Sequence, residues 1–200
     1  MFITKESREI DCNWTVFDIK FNKKRNSDLV FVGKMRISSC DLTEFDNCIE
    51  VLNKRGGASA IADLFESKCT LKEENEIFLY SHYGTDTLLF SKVYILESVE
   101  IAEGFDLQST LYLFFKSVFL ELGVDKEECA FFVHINKLDN SSVTKEKSNL
   151  LCNDFIFQNL GFLKIMQKEN DSLLIHNTAL SLKTSDSEKL KGISRQKGFL

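Results

Sequence analysis

The chain has 200 residues, 44% of them hydrophobic and 28% charged, with a formal net charge of −5. That balance excludes a disordered polymer and suffices for one packed domain without disulfide or metal staples. An acidic sum with scattered Lys and Arg argues against a surface that tracks nucleic-acid phosphates. The 18 phenylalanines predict an aromatic core. Met1–Asp11 is mostly polar and has no charged-then-apolar leader pattern. The run Leu111–Leu122 is broken by Lys116 and Glu121 and is too short to span a bilayer. A cytoplasmic location without membrane contact is the expectation.

Trp14–Asn22 alternates loosely between apolar and polar residues, residues 22–28 form a polar turn, and Leu29–Ile37 alternates again. Two such runs about a polar loop predict an antiparallel hairpin, with Lys23-Lys24-Arg25 at its solvated tip. Asp41 and Glu44 are spaced as a capping box before Leu42, Phe45, Cys48, Ile49 and Leu52, a helix that Gly56-Gly57 ends. A second helix is expected over Ala58–Lys68, burying Ile61, Leu64 and Phe65. A short strand over Ile77–His82, a turn at Gly84-Thr85-Asp86 and a long strand over Phe90–Ile101 follow.

Leu107–Leu122 reads as a helix that is apolar nearly all round and therefore covered on most sides. Ala130–Ile135 is continuously apolar, the pattern of a strand buried centrally in a sheet. Lys137–Ser148 reads as a polar, mobile loop and Leu150–Leu160 as a helix. Strands at Phe162–Gln167 and Ser172–Asn177 then flank a turn at Glu169-Asn170-Asp171. One domain over 1–182, with a polar, basic tail over 183–200, accounts for the chain. The six cysteines form no C-x-x-C pair, so no metal site is expected, and Cys48, Cys129 and Cys152 read as small hydrophobes in apolar patterns.

Two segments carry a family likeness. Phe155-Ile156-Phe157-Gln158-Asn159-Leu160-Gly161-Phe162 follows strand, helix and strand, and Ile95-Leu96-Glu97-Ser98-Val99-Glu100-Ile101 precedes the long apolar helix. Together with the element order, this resembles the GNAT superfamily of N-acyltransferases over most of the chain, Trp14 to Leu182. The resemblance implies an α/β fold with a mixed, mostly antiparallel sheet of about seven strands. That sheet is splayed between its fourth and fifth strands, carries helices on both faces, and holds acetyl-CoA or another acyl-CoA in the gap. It places cofactor contacts at Val99, Ile101, Asp106, Leu107, Gln108, Ser109 and Thr110. The family's glycine-rich loop presents bare amides to a pyrophosphate at this place. Here Asp106 stands where a basic or neutral residue is usual, and Leu107, Ser109 and Leu111 stand at or near the usual glycines. Asp106 is equally suited to cap the helix.

The family's frequent acid, a tyrosine, corresponds to Phe157, which has no proton to give. Candidates for the base that deprotonates the amine are Glu97 and Glu100, on opposite faces if the strand is regular, and His134, which also fits a hydrogen-bonded core position. Walker, dinucleotide, nucleophile-elbow and H-E-x-x-H motifs are absent. The expected function is transfer of an acyl group from acyl-CoA to a small-molecule or protein amine, in a chain that allows a homodimer. The alternative is a GNAT-shaped interaction module without catalysis.

Overall fold

A computed structural model of the chain describes residues 1–11, 13–42, 48–54, 58–67, 70–83, 92–123, 129–139, 144–168 and 171–177. The strands are β1 (Phe2–Glu9), β2 (Trp14–Arg25), β3 (Asp28–Asp41), β4 (Phe65–Ser67), β5 (Thr70–Leu71), β6 (Lys92–Ile101), β7 (Cys129–His134), β8 (Leu163–Lys168) and β9 (Asp171–Asn177). The helices are α1 (Cys48–Asn53), α2 (Ser59–Ala62), α3 (Glu73–Tyr83), α4 (Leu107–Leu122), α5 (Lys145–Leu151) and α6 (Asp154–Gln158), with a 3-10 turn at Ile135–Lys137. Seven strands form one sheet in the order β1-β2-β3-β6-β7-β9-β8, and β4-β5 is a separate small hairpin. Within the seven-stranded sheet only β6 and β7 pair in parallel. The fold is mixed α/β with a mostly antiparallel sheet.

Each face of the sheet carries its own core. On one face α4 lays Leu107, Leu111, Phe114, Phe115 and Val118 over Phe21, Met35, Tyr94 and Phe131, with Phe157 and Phe162 closing the far side. On the other, Leu52, Ile61, Leu64 and Leu79 cover Trp14, Cys40, Val93, Ile95 and Phe132. The continuous apolar run of β7 is explained by this double burial, since all of Cys129–His134 is buried. Gly33 sets how closely α4 can approach. Its missing Cβ would lie 2.1 Å from the Glu100 carbonyl oxygen and 2.9 Å from the Phe114 ring, which stacks on Phe21 with centroids 3.7 Å apart.

The segment after α6 turns as its residues suggest. Phe162 N–H donates to the Phe157 carbonyl and Gly161 N–H to that of Gln158. This is a Schellman closure with Gly161 at φ +92° and Phe162 packed edge-on to Phe157.

Several elements differ from the sequence reading. Phe2–Glu9, read as mostly polar, is a strand on the edge of the sheet, where exposure and alternating charges suit an unpaired outer edge. Asp41 belongs to β3 and pairs with Lys92, so its backbone is used by the sheet and it does not begin α1; Glu44 lies outside the described residues. The helix expected over Ala58–Lys68 stops at Ala62. The Leu64 carbonyl accepts from Lys72 N–H and from Asn75 Nδ2, folding the chain back as β4-β5.

The strand expected at Ile77–His82 is part of α3. Three acidic residues, Glu73, Glu74 and Glu76, favour a helix start, and the buried positions Asn75 and Leu79 are four apart. Tyr112, Leu113 and Leu120 of α4 are exposed, so that helix is covered on one side rather than on most. The helix expected at Leu150–Leu160 is two short ones, parted at Asn153, whose side chain caps α6. The α5 helix also reaches back to Lys145, into the expected loop. Cys129 is buried, but Cys152 is exposed rather than packed; nothing is described of the Cys48 side chain. The turn at 84–86, the double glycine at 56–57 and the tail lie outside the described residues. Among those residues no helix is long and apolar enough to cross a membrane.

Gly33→Ala should destabilise the fold by ~1–3 kcal/mol in urea titration, because backbone and a stacked ring must both move. A second test concerns His176, buried between the Phe119 and Phe162 rings. Burial pushes its imidazole down from 6.5 to about 4. Between these values the unfolded chain binds a proton that the folded chain refuses. Stability therefore rises with pH across that window and is lost on acidification, by ~3 kcal/mol in all. His176→Leu should remove this part of the pH dependence, read from unfolding midpoints at pH 4.5 and 7.

Candidate functional site

The parallel pairing of β6 and β7 runs from Lys92↔Cys129 to Leu96↔Val133 and stops there, while β6 continues along β3 to Ile101. Ile37 faces Leu96 and Arg36 faces Ser98, so Glu97 is an extra residue, a β-bulge that bends its strand. The next positions past the last parallel rung are Glu97 on β6 and His134 on β7. A 3-10 turn then brings the chain back to β6. Asp139 N–H donates to the Glu97 carbonyl at 2.8 Å, and Val99 N–H donates to the Asp139 carbonyl at 3.2 Å. Ile135 and Leu138, buried in the α4-side core, anchor this return.

The bulge also resets which side chains share a face. In β3, Lys34, Arg36 and Ser38 alternate along the face opposite α4. Ser38 Oγ, buried, donates to the Glu97 carboxylate, and Lys34 Nζ lies 2.8 Å from a Glu100 oxygen. Glu97 and Glu100 thus lie on the same face, not on opposite ones as a regular strand would have it. His134 sits opposite Leu173, part of the core on that same face, and is itself buried. The structure thus brings Glu97 and His134 to neighbouring register positions and engages Glu100 in an ion pair. Beside them is a groove of about 310 Å³ lined by Asp18, Lys34, Arg36, Ser98, Glu100 and Asp139. Arg36 donates to Asp18 at 2.8 Å. This bond and the Asp18 charge raise the guanidinium above its ordinary value, partial burial opposes them, and Glu97 and Asp139 add to the rise.

The expected cofactor positions divide between core and surface. Val99, Ile101, Leu107 and Thr110 are buried; Gln108 and Ser109 are exposed. Asp106 caps α4: its carboxylate accepts from Ser109 N–H at 2.8 Å and from Ser109 Oγ at 2.7 Å. Those two bonds, backbone first, hold its carboxyl below the usual range. The first-turn amide at Ser109 is therefore already given to a carboxylate of the chain. A shallow groove joins this turn to Tyr112, Leu113, Asn159 and Leu160, with neither Lys nor Arg among its described lining residues. Phe157 is buried edge-on to Phe115 and Phe162, away from solvent.

The sequence reading missed Ser38, Arg36 and Asp139. Ser38 gave only a slight signal, a polar pair with Ser39 between the apolar residues Ile37 and Cys40. Arg36 and Asp139 gave none, because only the register places them beside Glu97. Chemically, the site offers a carboxylate held by a buried hydroxyl at the end of a parallel strand pair. That group can take a proton from an approaching amine, directly or through water. Among the described residues no group of three or more His, Cys, Asp or Glu could hold a metal ion.

Because Asn caps as well as Asp, Asp106→Asn should leave the melting temperature nearly unchanged, and Asp106→Ala should lower it, both read by thermal denaturation. No family model matches the chain, and no curated protein or solved structure matches it.

Proposed function

We propose that this sheet is a GNAT-type scaffold and that the protein is a diverged N-acyltransferase, moving an acyl group from an acyl-CoA to an amine. The observation that carries the reading is a parallel pair, fourth and fifth in the sheet, whose last rung is Leu96↔Val133 with Glu97 one position beyond it. In the proposed reaction the amine nitrogen attacks the thioester carbonyl carbon and the carbon–sulfur bond breaks. The amine proton passes to Glu97, through a water, and the thiolate leaves. Ser38 would orient the carboxylate. Direct attack needs no tyrosine acid, since a thiolate is a tolerable leaving group.

A second reading, an interaction module without catalysis, is favoured by specific contacts. The Asp139 backbone occupies the β6 edge just past the last parallel rung, and the Asp106 carboxylate occupies the α4 amide at Ser109. An acyl-CoA lying along β6 has to displace Asp139 and tolerate Asp106.

The two readings separate experimentally. On the first, millimolar acetyl-CoA or a longer acyl-CoA raises the melting temperature by mass action. Asp139→Pro, which removes the N–H given to Glu97, should then strengthen acyl-CoA binding. Glu97→Gln keeps an acceptor for Ser38, so it should fold normally while thiol release from acyl-CoA falls by a factor of ~10²–10⁴. Absence of any ligand-induced shift in both the unaltered protein and Asp139→Pro overturns the acyltransferase reading in favour of the second.

A further inference from the structure

The hairpin of β2 and β3 outruns the rest of the sheet. β1 last pairs at Phe2↔Asn22 and β6 at Ile101↔Gly33, so Lys23–Val30 is a two-stranded ribbon with no third strand beside it among the described residues. Asn26, at φ 56°, makes its tight turn. On one face Phe2 and Phe31 flank Asn22, and Leu29 lies opposite Lys24 one row further on. Leu29 is 62% exposed, Phe2 53% and Phe31 38%. Lys24 shares this face, and Lys23 and Arg25, opposite Val30 and Asp28, put two more cations on the other face of the same narrow ribbon. The ribbon is thus cationic and greasy in a protein whose net charge is negative.

The complementary surface lies on the same molecule. At the start of α3 a groove is lined by Glu66, Lys72, Glu73, Glu74 and Ile77. Glu76 adds a further carboxylate, and Ile77 and Tyr80 are 60% and 52% exposed. This surface is anionic and apolar, the inverse of the ribbon in charge and its match in greasiness. The two cannot meet within one copy. Leu79 fixes α3 over Trp14, Cys40 and Val93, at the far end of β3 from Leu29, and that span of strand is roughly 35 Å.

We propose that the basic ribbon of one copy docks into the acidic α3 groove of a second copy, a head-to-tail contact. Opposite charges steer and register the approach, and Leu29 and Phe31 pack against Ile77 and Tyr80. Because the two patches differ, the contact is heterologous and closes into a ring or extends as a chain.

Sedimentation analysis of the full chain tests this. At about 50 mM salt the mass should grow with concentration beyond the 23.0 kDa of one copy, and at about 0.5 M salt association should weaken at least tenfold. A ribbon variant (Lys23→Glu, Lys24→Glu, Arg25→Glu) and a groove variant (Glu66→Lys, Glu73→Lys, Glu74→Lys) should each be monomeric alone. Mixed in equal amounts they should associate again, because each then faces a surface of opposite charge. Circular dichroism matching the unaltered protein confirms that each variant is folded. A protein that stays monomeric at every concentration in low salt overturns the proposal. So do variants that associate as the unaltered protein does, or mixtures that stay monomeric. Monomers that bind anionic vesicles through the ribbon overturn it in favour of a lipid partner.

Discussion

Five parallel rungs between β6 and β7 join the two halves of this protein, β1-β2-β3-β6 on one side and β7-β9-β8 on the other. A parallel pair cannot be made by a tight turn; it needs a crossover, and α4 is that crossover. The helix is long enough to return the chain to the start of β7 and apolar enough to bury its inward face. Gly33 lets it come close, and Phe114 and Phe115 link it to both halves through Phe21 and Phe131. Loss of that packing would leave the two half-sheets joined by backbone pairing and by the core on the opposite face.

The same constraint creates the site. The bulge at Glu97 falls where the last rung ends, and β7 gives way to a 3-10 turn directly after His134. Val99 is almost wholly buried, and a buried backbone N–H left without an acceptor is costly. The Asp139 carbonyl supplies the acceptor, and its N–H answers the Glu97 carbonyl. The β6 edge beyond the last rung is therefore satisfied by the chain itself. At the start of α4 the logic repeats, with Asp106 supplying the negative partner that the helix end favours.

Legibility in the sequence followed how local each cause was. The left-handed turn at Gly161-Phe162, the cap at Asp106 and the buried strand β7 depend on neighbours a few residues away or on a plain apolar run; the sequence reading puts the first two in place and the strand one residue late, at Ala130–Ile135 rather than Cys129–His134. The α3 helix was misread because Ile77-Phe78-Leu79 looks like a strand until one knows that only Leu79 of the three is fully buried. Cys152 looked apolar by its neighbours, yet its place at the end of α5 turns it outward. Glu97 was picked out as a candidate, but its face was wrong, because a bulge depends on the partner strand's register.

By itself the sequence determined the α/β class, the order of the central strands around a long apolar helix, and the carboxylates that chemistry could use. Those follow from hydrophobic period and capping, which act within one turn or one strand. Only the tertiary structure decided that Glu97 is a bulge held by Ser38, that Glu100 is paired with Lys34, and that Asp139 bonds to the β6 edge at Glu97 and Val99. Each of these joins residues far apart in the chain, and pairing register between strands is set by the packing of the whole sheet rather than by any local pattern.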